Sequence, residues 1–208
     1  MPFRLPRVYP LTDVAISGLS HAEQVKRLAA GGATIIQLRE KNMPARDFYN
    51  EAKAAVEIAR KAGIQLIIND RVDIALAVEA DGVHLGQDDL PVESARALLG
   101  PDAIIGLSTH NLQQAEKARN LPVNYIALGP IFTTKTKTNP DPELGLSRLQ
   151  QISKVAESLP LVAIGGITQK NARDVIAAGA ASVAQISFLL SDPAGITSRT
   201  ANLLGQLN

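Results

Sequence analysis

Hydrophobic residues occur in short runs that alternate with longer stretches in which apolar positions recur with helical spacing. The short runs are 8–12, 34–38, 65–68, 82–85, 104–107, 125–128, 161–164 and 182–186. Several are apolar at nearly every position, which is typical of strands buried on both faces of a parallel sheet. The pattern therefore predicts eight buried strands separated by helices.

Four of the intervening stretches begin with residues that favour the first turn of a helix. They are 21–30 after a capping box at Ser20, a stretch from Pro44 to about Ala62, 112–119 after Asn111, and 148–158 after Ser147. Eight strands that each precede a helix, in a chain of this length, indicate an α/β fold: a (β/α)8 TIM barrel near its lower size limit. We predict one such domain over residues 1–208, and a doubly wound open sheet is the alternative.

The composition of the 208-residue chain narrows the classes of function. Its 21 Lys and Arg against 20 Asp and Glu give a net charge of +1, and aromatic residues make up 3%, so we expect no nucleic-acid partner. No apolar window approaches ~18 residues and no signal peptide is recognised, so no membrane partner and a cytoplasmic location are expected. The chain has no cysteine, which excludes thiolate metal sites and cysteine nucleophiles.

Polar residues follow the ends of the predicted strands, where the active site of a barrel forms. After the second strand, Gln37, Arg39 and Lys41 alternate with other residues and so share one face of the extended chain. Two cations side by side are suited to an anion, and a diphosphate is the natural match. A surface ion-pair cluster with Glu40 is the alternative.

Two carboxylates stand at the ends of neighbouring strands. Asp70 follows the third strand and Asp89 follows the fourth, so both could bind one Mg²⁺ together with phosphate oxygens of a substrate. Pairing of Asp70 with Arg71 or Arg39 is the alternative. Beside two cations, a metal held by this pair would neutralise the same diphosphate.

A second anion site is predicted at the ends of the seventh and eighth strands. The glycines of 165–168 allow a ligand to approach the backbone, a helix is expected to start directly after them, and Ser187 is placed to join them. The long polar segment 129–145 is expected to act as a lid, with Lys135 and Lys137 adding positive charge over the pocket mouth.

The three histidines are expected to have different roles. His21 lies in a capping box and is interpreted as structural. His84 lies inside a strand, where a hydrogen-bonded core histidine is commoner than a ligand. The sequence leaves the role of His110, at the predicted rim, open.

Taken together, these segments resemble the thiamine-phosphate synthase family from about residue 8 to 190. The matching segments, in family order and spacing, are QLREK (37–41), INDRVDIALAVEADGVHLGQDD (68–89), GLSTH (106–110), GPIFTTKTK (129–137), AIGGIT (163–168) and VAQIS (183–187). Thr133 departs from the family pattern by replacing a proline, and we expect a looser lid from it. Gln185 also departs, because the family has a small apolar residue there.

The resemblance implies a transferase of thiamine biosynthesis that acts on two small-molecule substrates. The family joins 4-amino-2-methyl-5-(diphosphooxymethyl)pyrimidine to 4-methyl-5-(2-phosphooxyethyl)thiazole, or its carboxylated form, and releases diphosphate. Loss of the diphosphate is dissociative and assisted by Mg²⁺, and the thiazole nitrogen then attacks. The sequence leaves the oligomeric state open, a homo-oligomer included.

The resemblance also assigns roles to individual residues. The pyrimidine diphosphate would contact Gln37, Arg39, Lys41, Asn69, Ser108 and Lys137; of these Arg39, Lys41, Ser108 and Lys137 would be catalytic. Asp70 and Asp89 would bind one Mg²⁺ ion. The thiazole phosphate would contact Thr134, Thr136, Gly166, Ile186 and Ser187. A thiazole tautomerase-like isomerase and a barrel that only binds thiamine phosphate remain the alternatives.

Overall fold

Eight parallel strands close into a barrel in the computed structural model, which describes residues 3–134, 142–156 and 159–208. The strands are β1 (Val8–Thr12), β2 (Ile35–Leu38), β3 (Gln65–Asn69), β4 (Gly82–Leu85), β5 (Ile104–Thr109), β6 (Tyr125–Leu128), β7 (Leu161–Ala163) and β8 (Ser182–Gln185). Each strand pairs with the next in chain order, and β1 pairs with β8. The predicted TIM barrel is confirmed, and the open sheet is wrong.

Helices surround the barrel, between successive strands and after β8. They are α1 (Val14–Ser17), α2 (His21–Ala30), α3 (Ala45–Ala62), α4 (Val72–Ala77), α5 (Val92–Leu99), α6 (Leu112–Ala118), α7 (Gly145–Ala156), α8 (Ala172–Ala177), α9 (Ser187–Leu190) and α10 (Ile196–Leu207). Two predicted caps are confirmed, because the side chains of Ser20 and Asn111 accept backbone N–H bonds from Glu23 and Gln114. The cap at Ser147 is wrong, since α7 already begins at Gly145.

The apolar residues form two layers that follow from the alternation of side chains along each strand. One face of each strand packs against the helices, as Ile36, Ile68 and Val83 do. The other face fills the barrel, where Tyr9 and Tyr125 are almost completely buried. The polar residues that continue this inward face therefore emerge at the carboxyl ends of the strands.

None of the helices in the described ranges is both long and apolar enough to cross a bilayer.

Candidate active site

A pocket of about 940 Å³ opens at the carboxyl ends of the strands. Eleven of the residues predicted for the site line it: Gln37, Arg39, Lys41, Asn69, Asp70, Asp89, Ser108, Thr134, Gly166, Ile186 and Ser187. His110 also lines it, and its Nδ1 lies 2.9 Å from the Gly129 carbonyl oxygen. The other two predicted residues, Thr136 and Lys137, lie outside the described residues, as does Lys135.

Two cations lie on one side of the pocket, each next to a carboxylate. Arg39 Nη1 donates to Asp13 Oδ2 at 2.6 Å, and Lys41 Nζ donates to Asp70 Oδ2. Glu40 turns away from both and accepts backbone N–H bonds from the residues that follow it. The alternative of an ion-pair cluster with Glu40 is therefore wrong, because the alternation of side chains puts Glu40 on the other face.

The predicted carboxylate pair is brought together at the ends of β3 and β4. Partial burial raises the pKa of Asp89. The hydrogen bond from the Gly86 amide lowers this pKa, whereas the negative charge and the hydrogen bond of Asp70 raise it further. That amide donates to Asp89 Oδ2 at 2.6 Å. The pairing of Asp70 with Arg71 or Arg39 is wrong, since Arg71 pairs with Asp73 and Arg39 with Asp13.

The donor set of this pair fits a small hard cation. Two carboxylates that repel each other next to a pocket are a normal arrangement for Mg²⁺, which takes its remaining ligands from water and substrate oxygens. Within the described ranges, no group of three or more His, Asp or Glu side chains could hold a metal ion. A cation held by Asp70 and Asp89 would therefore take its other ligands from water, from substrate oxygens or from amide and hydroxyl groups.

We expect Asp89→Asn to stabilise the metal-free protein at neutral pH. Burial and Asp70 raise the pKa of Asp89, so this carboxyl group binds its proton more tightly in the folded state than in the unfolded state. Its contribution to stability therefore falls as the pH rises past the pKa of an ordinary Asp, about 3.9. Asparagine keeps the acceptor for the Gly86 amide and removes the charge. Urea unfolding without Mg²⁺ should give a larger free energy of unfolding for the variant at pH 7, with the difference disappearing in acid.

Asp73→Asn is the matched control, and we expect it to change the free energy of unfolding in the opposite direction. The hydrogen bond from Arg71 is the largest effect on Asp73 and lowers its pKa, so removing this exposed charge should slightly destabilise the protein. A loss of stability in Asp89→Asn at pH 7 would contradict the proposed repulsion between Asp70 and Asp89.

Glycines and hydroxyl groups line the opposite side of the pocket. Gly165 and Gly166 have φ values of 100° and 62°, which strongly favour glycine. Both pack against the segment after β6, and the Phe132 amide donates to the Gly165 carbonyl at 3.0 Å. The helix that we expected directly after 165–168 starts later, at Ala172 (α8). The Thr168 amide donates instead to the Asn171 side chain. Any anion here would meet loop backbone and not the end of that helix.

Thr133, where the sequence departs from the family pattern, makes two hydrogen bonds at the start of the predicted lid. The backbone amide and the hydroxyl of Thr133 donate to Glu143 Oε2 at 2.9 and 2.7 Å. A proline at this position could make neither bond. These bonds tie the two described edges of the predicted lid together, whereas residues 135–141 lie outside the described residues, so the looser lid stays a prediction.

Two buried amides face the pocket without a partner among the described residues. They are Asn69 Nδ2 and Gln185 Nε2, and both side chains are at least nine-tenths buried. Buried N–H groups are rarely left unsatisfied, so these donors are available to a ligand. The Asn69 donor is adjacent in sequence to Asp70, so the two lie at the same end of β3.

Sequence reasoning missed three residues that support the site. Asp13 binds Arg39, and the phenol groups of Tyr9 and Tyr125 lie beneath the pocket and bond to each other at 2.8 Å. The available signal was the alternation in β1, which places Tyr9, Leu11 and Asp13 on one face. His84 is a buried core histidine, as predicted, but its Nε2 lies 2.9 Å from Ser108 Oγ in the pocket.

Comparison with known proteins places this geometry in a family. The family model for thiamine monophosphate synthase matches residues 8–189. The thiamine-phosphate synthase of Clostridium novyi is 44% identical over 200 residues, covering 95% of this chain and 98% of the relative. That of Methanoculleus marisnigri is 47% identical over 186 residues, covering 89% and 88%.

A solved structure gives the same result. The thiamine phosphate pyrophosphorylase from Pyrococcus furiosus superimposes with a TM-score of 0.84 at 35% identity, covering 97% of this chain and 95% of that one. Sequence and structure agree over nearly the whole chain, including every strand that contributes to the pocket. This chain therefore belongs to the thiamine monophosphate synthase family.

Proposed function

We propose that the chain joins 4-amino-2-methyl-5-(diphosphooxymethyl)pyrimidine to 4-methyl-5-(2-phosphooxyethyl)thiazole and releases diphosphate, forming thiamine phosphate. The carboxylated thiazole would also serve, with loss of its carboxyl group as CO2. Family membership supports the overall reaction. The observation that supports these particular substrates is that one pocket has two different sides. One side has two cations and two carboxylates, and the other has glycines and hydroxyl groups.

The charged side suits a diphosphate. Arg39 and Lys41 supply positive charge, and Asn69 supplies a buried N–H donor that has no partner among the described residues. Asp13 holds the Arg39 guanidinium in place through their 2.6 Å bond, so little side-chain freedom remains to be lost on binding. Asp70 and Asp89 would hold Mg²⁺, which when bound would neutralise part of the charge that develops on the departing diphosphate.

The opposite side suits a monoester phosphate. Strands β6 to β8 lie across the barrel from β2 to β4. They bring Thr134, Gly166 and Ser187 to the same pocket wall. A volume of about 940 Å³ is large enough for two substrates of this size, side by side.

The reaction then needs placement and charge and no protein nucleophile. The 4-amino group of the pyrimidine donates electrons into the ring, the methylene carbon–oxygen bond breaks, and its electron pair leaves with the diphosphate. The thiazole nitrogen attacks the resulting methylene cation. Arg39 and Lys41 stabilise the leaving group in the transition state, which is the dominant means of catalysis for such a step. The absence of cysteine from the chain is compatible with this route.

The decisive assay measures diphosphate release from the purified protein given both substrates, with and without Mg²⁺. We expect release only when both substrates and the metal are present, with an equal amount of thiamine phosphate identified by mass spectrometry. Interconversion of thiazole phosphate tautomers without release would instead support an isomerase. Tight binding of thiamine phosphate without either reaction would indicate a binding protein.

A further inference from the structure

Five polar side chains form a continuous hydrogen-bonded chain beneath the pocket. The bonds join Gln37 Nε2 to Tyr9 Oη (3.3 Å), Tyr9 Oη to Tyr125 Oη (2.8 Å), Tyr125 Oη to His84 Nδ1 (3.0 Å), and His84 Nε2 to Ser108 Oγ (2.9 Å). We call this set the floor chain. Its two ends, Gln37 and Ser108, line the pocket, as do Tyr9 and His84, and Tyr125 lies behind them.

The direction of the bonds in the floor chain follows from the donors and acceptors. An amide nitrogen only donates, so Tyr9 accepts from Gln37, and its own proton goes to Tyr125, its other hydrogen-bond partner among the described residues. Within the same residues, the acceptor for the Tyr125 proton is then His84 Nδ1. Any other arrangement leaves a buried phenol proton without an acceptor among the described residues, which is unfavourable.

The state of the His84 ring is fixed by the same argument. Because Nδ1 accepts from Tyr125, the ring proton is on Nε2, which donates to Ser108 Oγ. In a doubly protonated ring Nδ1 would be a donor, and the Tyr125 proton would lose its acceptor. Burial lowers the pKa of His84 to about 4, in agreement with a neutral ring near pH 7. Ser108 accepts from His84 and so has its own hydroxyl proton left for the pocket.

Packing around the floor chain leaves it little freedom. The Tyr125 ring stacks on Phe3 and on His84, with centroid distances of 5.9 and 5.5 Å. A Cβ atom at Gly106 would overlap the Tyr125 hydroxyl and lie 2.5 Å from His84 Nδ1. Glycine in this strand therefore provides the space in which the Tyr125–His84 bond forms.

We propose that Tyr9, Tyr125 and His84 are positioning residues that give the two ends of the floor chain opposite roles toward the substrate. Gln37 presents its Oε1 as an acceptor, and the Ser108 hydroxyl is held as a donor. This inference rests on the proposed function, because an aminopyrimidine offers both an amino donor and ring-nitrogen acceptors. An acceptor on the amino group also favours the electron donation that expels the diphosphate.

The first test is the tautomer of His84, measured by ¹⁵N NMR of the ligand-free protein labelled on histidine, with His84→Gln to assign the signals. We expect a protonated Nε2 and an unprotonated Nδ1. A proton on Nδ1, or a mixture of both tautomers, would overturn the proposal. This measurement needs no substrate, so it decides the floor chain even if the proposed reaction were not found.

The second test separates the two tyrosines. Tyr125→Phe removes the donor to His84, so we expect mixed tautomers and a kcat that is roughly tenfold lower, with the KM for the thiazole phosphate unchanged. Tyr9→Phe leaves the Tyr125–His84 bond in place, so the tautomer should persist. It removes the acceptor of the Gln37 amide, and the KM for the pyrimidine diphosphate should rise by about threefold.

Tyr49→Phe is the matched control, because Tyr49 lies in α3, away from the pocket lining. It should change neither the tautomer nor the kinetics. Circular dichroism and thermal unfolding of each variant would exclude loss of the fold. Identical behaviour of Tyr9→Phe and Tyr125→Phe, or an unchanged tautomer in Tyr125→Phe, would show that these residues are structural only.

Discussion

Replacing Asp70 by asparagine should reduce Mg²⁺-dependent diphosphate release by roughly a hundredfold or more, which is the size of effect seen when one stabilising group is removed from a charged transition state. Asparagine fits the backbone, because Asp70 has a φ of 62° and asparagine also adopts the left-handed region. The change removes the charge beside Asp89 and the ion pair with Lys41. Single-turnover measurement of release across Mg²⁺ concentrations would show the loss.

Binding of the thiazole phosphate separates this effect from general damage. Its site is proposed on β6 to β8, across the barrel, so its dissociation constant in Asp70→Asn should stay within about twofold of the wild-type value. Asp73→Asn removes a carboxylate three residues away that is paired with Arg71, and it should retain activity. Full activity and unchanged metal dependence in Asp70→Asn would refute the metal assignment.

Gly166→Ala should lower the free energy of unfolding by about 3 kcal/mol and weaken thiazole phosphate binding by about tenfold or more. Two effects add at this position. The φ of 62° is strained for alanine, and the new Cβ would lie 2.5 Å from the Thr133 carbonyl oxygen and 2.7 Å from Phe132 Cβ. The segment after β6 must move to relieve these contacts, and Thr134 on that segment lines the pocket. Urea unfolding and calorimetry with the thiazole phosphate measure the two quantities.

Gly18→Ala isolates the backbone contribution. Gly18 has a φ of 68°, close to that of Gly166, but among the described residues no atom beyond its chain neighbours lies within 4 Å of the Cβ that would be added. It should cost only about 1 kcal/mol and leave binding unchanged. Equal destabilisation in the two variants, with normal binding in both, would mean that contact with the segment after β6 is unimportant.

The barrel could be predicted from the sequence because its signals are local. Each apolar run coincides with an observed strand to within two residues at either end, since strands buried on both faces need hydrophobic side chains at successive positions. Helix starts were predictable where a side chain caps the backbone, as at Ser20 and Asn111. The start at Ser147 was wrong because the helix already begins two residues earlier, at Gly145.

The sequence also determined which polar residues line the pocket. In a parallel barrel all strands end on one rim, so any polar residue that continues an inward-facing alternation must reach the same pocket. Gln37, Arg39 and Lys41 were placed by this rule, as was Ser108. The opposite orientation of Glu40 follows from it too.

Only the tertiary structure decided which of these groups contact one another. Lys41 binds Asp70, Arg39 binds Asp13, and Tyr9 bonds to Tyr125 across 116 residues of chain. Such pairs depend on the stagger between strands and on side-chain rotamers, which the spacing of residues within one strand does not specify. Local periodicity therefore determined the barrel and the residues at its rim, whereas closure of the barrel decided their partners, their charge states and the direction of their hydrogen bonds.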